Sequence, residues 1–232
     1  MENMVMKISE NTLGVLKNFS AINPGIAIKP GSMLQTVSPQ KTVMAEATIT
    51  ESFEKSFAIY DLNSMLSVFS LAKDIPEIEF GDKFLKIVGY DKRSTTNYFY
   101  TEPTMIIAPP DKKINFPSSE IEFKLTAEDL AYTLRYASVL QSPHIVFESD
   151  GKNIYVSTSD VKVATSHNQK LNLGASDGAK YRMIYKKEHL DFLMPKTYNV
   201  TISSKFISKF VSDDKTLTYW VAVEKEGSKY ES

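Results

Sequence analysis

The chain repeats itself. Met6-Lys7-Ile8-Ser9 runs into a helical stretch from Glu10 to Ala21, and Phe123-Lys124-Leu125-Thr126 runs into another from Ala127 to Gln141. Each tetrapeptide alternates apolar and polar residues, as a half-buried strand does. Each closes on a Ser or Thr placed to cap a helix, with the acids Glu10, Glu128 and Asp129 in the first turn. A second pair of segments matches in the same order. Ser56-Phe57-Ala58-Ile59-Tyr60 leads into a helix from Asp61 to about Ala72. Tyr181-Arg182-Met183-Ile184-Tyr185 leads into one from Lys186 to about Met194, where Pro195 stops it. The spacing is slightly longer in the second copy.

Strand-like segments fill the intervals. Between the helices of the first copy lie 26–29, 33–37 and 43–49, and after them 77–80, 84–88 and 95–100. The second copy has 144–148, 153–157 and 162–165, then 198–203, 206–211 and 217–223. The copies are joined by a stretch holding Pro103, Pro109, Pro110 and Pro117, which cannot be a central strand. The reading is a duplicated α+β unit: a domain over 1–102, a linker over 103–119 and a domain over 120–232.

Composition excludes several classes. Hydrophobic residues at 42% and charged residues at 24% are those of a globular chain. No apolar run reaches the roughly 18 residues of a membrane span. Residues 1–8 carry no secretory h-region, and their tip is given no structural weight. Cysteine is absent, which removes disulfides and thiol chemistry. A cytoplasmic location is the expectation. The net charge of −1 fits a nucleic-acid binder only if basic residues are gathered on one surface.

Helical projection sorts the faces. The first helix turns Leu13, Leu16, Phe19 and Ser20 inward, with Val15 at the margin, and Gly14, Lys17, Asn18 and Ala21 outward. The second turns Leu62, Met65, Leu66, Val68 and Phe69 inward, leaves Asn63, Ser67 and Ser70 outside, and has Lys73 at its end. The third turns Leu130, Thr133, Leu134, Ala137 and Leu140 inward, and Ala131, Arg135 and Ser138 outward. The fourth shows Lys187 and Asp191, with His189 at the margin of its apolar face. The exposed faces are small, polar and sparsely basic. They read equally as solvated surface or as a smooth face that touches phosphates without reading bases.

Met6-Lys7-Ile8-Ser9 with Leu16-Lys17-Asn18-Phe19-Ser20-Ala21-Ile22-Asn23-Pro24-Gly25-Ile26 resembles the opening of the T-even-type bacteriophage sliding clamps. Ala58-Ile59-Tyr60-Asp61-Leu62-Asn63, with Leu66 and Ser70-Leu71, resembles their second helix. The resemblance covers residues 6–72 closely and the second half through the repeat. It implies two PCNA-like domains per chain, helices on the inner face and sheets outside, in a ring-shaped homotrimer. Such a clamp encircles double-stranded DNA without sequence preference. An ATP-dependent clamp loader places it, and it tethers the replicative DNA polymerase and serves late-transcription factors. It works in the cytoplasm of the infected host, with no cofactor, metal, membrane or catalysis of its own. On this reading Lys17, Asn18, Lys73, Arg135 and Lys187 face the hole, with Lys7 and Lys124 as weaker members. Subunits meet at edge strands near Tyr98 and Tyr100 on one side and Val163 and Thr165 (within 161–171) on the other. A partner-peptide pocket lies near Ile106, Ile107 and Pro109, unless those residues only pin the linker.

Rival readings are specific. Pro110-Asp111 with Glu122-Phe123-Lys124 has the form of a PD-ExK Mg-dependent nuclease. Asn97-Tyr98-Phe99-Tyr100 is the best stacking platform for a single-strand binder. The segment 174–180 has a phosphate-loop look with the wrong spacing, and reads as a plain loop. His144, His167 and His189 lack ligand spacing and read as surface or boundary residues. Trp220 reads as core.

Overall fold

The computed structural model describes residues 5–71, 77–89, 93–110 and 114–231. The chain divides into two compact units, Met1–Asp111 and Lys112–Ser232.

The first unit runs β1 (Val5–Lys7), α1 (Glu10–Ile22), β2 (Ile26–Ile28), β3 (Gly31–Val37), β4 (Val43–Phe53), β5 (Phe57–Ile59), α2 (Leu62–Ser70), β6 (Glu77–Phe80), β7 (Phe84–Val88) and β8 (Thr95–Phe99). The second runs β9 (Ile121–Leu125), α3 (Ala127–Val139), β10 (His144–Asp150), β11 (Asn153–Ser159), β12 (Gln169–Ala175), β13 (Lys180–Lys186), α4 (Lys187–Leu190), β14 (Tyr198–Ser203), β15 (Ile207–Ser212), β16 (Leu217–Ala222) and β17 (Glu224–Glu231).

The repeat is one of connectivity as well as sequence. In the first unit the opening strand pairs with the strand after the second helix, Met6 opposite Ile78, and the order is β1-β6-β7-β8. In the second unit Phe123 lies opposite Val200, and β9, β14, β15 and β16 follow one another in the same way. β2 pairs with β5 as β10 pairs with β13, and β3 with β4 as β11 with β12. The second unit adds β17 beside β13. In the first, the linker starts along the corresponding strand, where Thr101 N–H donates to the Ala58 carbonyl at 2.9 Å.

The helices start where the sequence caps them. Ser9 accepts from Thr12 N–H and Thr126 from Asp129 N–H, at 3.3 and 3.0 Å. A third group joins the first cap from far along the chain. Glu51, on β4, accepts from Ser9 N–H and from the Thr12 hydroxyl. Burial pushes the Glu51 carboxyl up, but these hydrogen bonds outweigh it and hold the group at about 2.

Several elements differ from the sequence expectation. In α1 the buried stripe is Thr12, Val15, Leu16, Phe19, Ser20 and Ile22, so the helix is rotated to bury Val15 and leave Leu13 half-exposed. The fourth helix is a single turn. Pro195 disfavours helical backbone at Met194, and the chain leaves α4 through turns closed by Leu193 N–H on the Leu190 carbonyl. Trp220 is half-buried, because strand alternation gives the core to Tyr219. His189 is buried rather than marginal, and burial lowers its pKa. The core of the second unit is an aromatic cluster in which Tyr185 and Phe147 meet edge to face at 5.5 Å and Tyr198 meets Phe210 at 6.2 Å.

The Glu51 cap sets an acid limit for the first unit. Its folded pKa lies below the ordinary carboxyl value of 4.5, so its contribution is complete above that pH and fades as pH falls towards about 2. Because the group is partly solvated, its contribution is about 1 kcal/mol. Urea titrations should show Glu51→Ala less stable by about that amount at pH 7, with the difference shrinking below pH 4.5.

Candidate nucleic-acid face, subunit edges and linker seat

The outward helix faces are small. Ser67, Ser70 and Ser138 each turn a hydroxyl back onto a helix carbonyl, at 2.9, 2.7 and 2.9 Å. This leaves their outer surface smooth and its donors occupied.

The sequence-derived cations fall into two groups. Lys7 is paired with Glu77 at 3.2 Å, Lys124 with Asp213 at 2.7 Å, and Lys187 with both oxygens of Asp191 at 2.7 Å. Lys17 on α1 and Arg135 on α3 are exposed, with no carboxylate in ion-pair range among the described residues. Asn18 is half-buried beside Lys17. Lys73 lies outside the described residues.

Strands β8 and β12 end their ladders. Tyr98 is half-buried, and its hydroxyl donates to the Asp61 carbonyl at 2.7 Å, tying β8 to the start of α2. Tyr100 lies beyond the strand, and its ring packs on Phe57 at 5.1 Å. Burial, with Asp82 nearby, pushes its phenol up to about 12. The exposed residues of β8 are instead Thr95, Thr96, Asn97 and Phe99.

Val163 and Thr165 are not in a strand. The Asp160 side chain accepts from Lys162 N–H at 3.0 Å, its carbonyl accepts from Val163 N–H at 3.1 Å, and Ser166 N–H closes on Val163 at 3.0 Å. That turn overrides the strand preference of Val and Thr, and the ladder begins only at Gln169 opposite Thr158.

The sequence reading missed an apolar strip on α3, and an exposed leucine at the end of α2 in the first unit. Leu71 at the end of α2 and Val139 at the end of α3 are 75% and 76% exposed, and Tyr132 and Tyr136 stand beside Val139 with ring centroids 4.7 Å apart. α3 packs across β11 and β12, so this strip borders the β12 edge. The signal was available: Tyr132, Tyr136 and Val139 recur at helical spacing outside the inward face.

At the linker, Asn23 is the hub. It is buried, its amide donates to the carbonyls of Val37 and Ile107, both at 2.9 Å, and its side-chain oxygen accepts from Gly25 N–H at 3.0 Å. Ile106 presses on Gly25, where an added Cβ would lie 2.6 Å from its Cδ1 and 3.2 Å from two backbone carbonyls. The pinning role is therefore real. Met105 and Ile107 nevertheless stay exposed, at 62% and 44%, with Pro109 half-buried. Beyond the linker, Glu120 accepts from Ser204 N–H and hydroxyl, both at 2.9 Å.

The rival sites come apart. Asp111 lies outside the described residues, and Glu122 and Lys124 stand on β9. Among the described residues no three His, Asp or Glu gather as metal ligands. In the 174–180 loop Asp177 accepts from Ala179 N–H at 3.2 Å, while in the facing turn Asp150 accepts from the amides of 152 and 153 at 2.8 Å, so the amides a phosphate would use face carboxylates. Of the proposed stacking platform only Phe99 is an exposed ring, and it is packed edge-on to Phe84. Among the described residues no helix is long and apolar enough to cross a membrane.

Two like units, each a ladder closed between its opening strand and the strand after its second helix, define a PCNA-like DNA clamp fold. PCNA from A. fulgidus, solved with a C-terminal region of FEN-1 bound, superposes with a TM-score of 0.70 over 97% of this chain and 98% of that one, at 14% identity. The family model described as DNA polymerase processivity factor matches residues 8–108. The sliding clamp of Escherichia phage RB69 is 32% identical over 96% of this chain and 99% of its own length, and that of Vibrio phage KVP40 is 31% identical over 94% and 99%. The chain belongs to the sliding clamps of T4-like phages, DNA polymerase processivity factors that are scaffolds rather than enzymes.

The linker seat gives a measurable prediction. Gly25→Ala should cost about 1–3 kcal/mol by overpacking against Ile106 and the two carbonyls. Adding Ile106→Ala should recover part of that loss in a double-mutant cycle read by thermal unfolding.

Proposed function

We propose that three copies of this chain close into a ring around duplex DNA and hold the phage replicative polymerase to its template. The observation that carries the reading is the pair of ladder ends, β8 in the first unit and β12 in the second, with an exposed apolar strip beside β12. Joining β8 of one copy to β12 of the next pairs backbone groups that would otherwise invite aggregation. The same junction would bring Leu71 of one copy towards Tyr132, Tyr136 and Val139 of its neighbour. Val163, at the turn before β12, lies at the margin of this contact.

In the ring Lys17, Asn18 and Arg135 face the duplex, with Lys187 nearby and Lys7 and Lys124 as outlying contacts. Only Lys17 and Arg135 offer uncompensated charge among the described members. Paired lysines must exchange a carboxylate for a phosphate, so the grip stays weak and insensitive to sequence. Enclosure, not affinity, keeps the clamp in place, and tethering raises the polymerase's effective concentration. The exposed Met105 and Ile107 beside Pro109 suit the apolar part of a partner peptide. Proteins of the same fold have been solved with a FEN-1 C-terminal region and with a DNA ligase peptide bound. An ATP-dependent loader and late-transcription factors are the further expected partners, in the cytoplasm of the infected host.

Light scattering should give a mass of three chains. Val139→Glu should lower that mass and weaken assembly at least tenfold, about 1.4 kcal/mol, with far-UV circular dichroism unchanged because the side chain is exposed. A monomer at high concentration in the unaltered protein overturns the ring. Loaded clamp should stay on circular duplex and leave once the circle is cut. Arg135→Ala should reduce the salt dependence of residual binding by about one phosphate contact per copy.

A further inference from the structure

The outer face of the five-stranded sheet β12-β11-β10-β13-β17 carries a feature that clamping does not use. Val146 and Ile184 project on the face that also bears His144, Arg182 and Lys186, yet both are fully buried. Two irregular segments flank this face. One is the turn that follows β11, held by Asp160. The other is a bulge in β17, where the pairing with β13 slips between Arg182 and Ile184 and the Ser228 hydroxyl accepts from Ile184 N–H at 2.9 Å. Gly227 makes the bulge possible, with φ +79° and an added Cβ only 3.1 Å from Ile184 Cδ1.

Between these segments lies a cleft of about 400 Å³, within the size range of ligand sites. Its floor is Ile184 and Val161. Lys162 stands on the turn after β11, Lys186 on β13, and Glu224 and Glu226 on β17. Neither Lys162 nor Glu226 is in an ion pair among the described residues, although they line the same cleft. Among the described residues Lys186 is paired with Glu188 alone, at 3.9 Å. Arg182 is already engaged by Glu148, at 3.0 Å. The cleft therefore carries an unpaired cation on one segment, Lys162, and an unpaired anion on the other, Glu226, with apolar residues in its lining.

We propose that this cleft is a docking site for a short peptide segment of a partner protein. The segment carries an acidic residue for Lys162 and Lys186, an apolar residue for the floor, and a basic residue for Glu224 and Glu226. Nucleic acid is disfavoured, because the two glutamates repel phosphates. The site is separate from the linker seat, and it stands whether or not the ring closes.

The test uses the isotope-labelled full chain, titrated with acetyl-Asp-Leu-Lys-amide and followed by backbone amide resonances. Saturable shifts are expected at Val161, Lys162, Ile184 and Gly227 in the millimolar range. Lys162→Ala and Glu226→Ala, both at exposed positions, should each weaken binding at least about fivefold without changing the circular dichroism. The neutral peptide acetyl-Asn-Leu-Gln-amide should not bind. Absence of saturable shifts, equal binding of the neutral peptide, or indifference to both substitutions overturns the proposal.

Discussion

Each unit depends on one long-range ladder, between its opening strand and the strand after its second helix. These strands are about seventy residues apart in sequence, and pairing them ties the two ends of the unit together. Met6 faces Ile78 and Phe123 faces Val200, while α1 lies on β4 and α3 on β11 and β12. The Ser9 and Thr126 caps sit between strand and helix and fix where each helix leaves its strand. Glu51 reinforces only the first, so the two units reach one connectivity with different local chemistry.

Clamping requires little from individual side chains, and the surface reflects that. Of the described cations suggested by sequence, three spend their charge on Glu77, Asp213 and Asp191. Exposed ion pairs of this kind add little stability. Their effect is to mute the field of the surface, which suits a protein that must move along a polyanion. The serine hydroxyls folded onto the helices act in the same sense by withdrawing donors from the outer face.

The repeat, the caps and most of the strands were legible because they rest on local rules: alternation, helical spacing and the preference of Ser and Thr for helix starts. The failures share a cause in tertiary context. Val163 and Thr165 have strand-forming side chains, but Asp160 binds the intervening amides into a turn. Tyr100 continues the alternation of β8, but its ring is drawn onto Phe57. No sequence rule places Asn23 against both Val37 and Ile107, since that contact joins segments far apart in the chain. The exposed strip at Val139 was hidden by assigning every helix only two faces, one wet and one dry. A helix in an assembly can need a third.

Asn23 also has a chemical future worth tracing. Asparagine ages when the following backbone nitrogen attacks its side chain and expels ammonia. Here the following residue is Pro24, whose nitrogen carries no hydrogen to surrender. The amide that joins strand and linker is thus protected, by its neighbour, from the reaction that would turn two donors into a buried anion. The linker is fastened by an asparagine that resists decay.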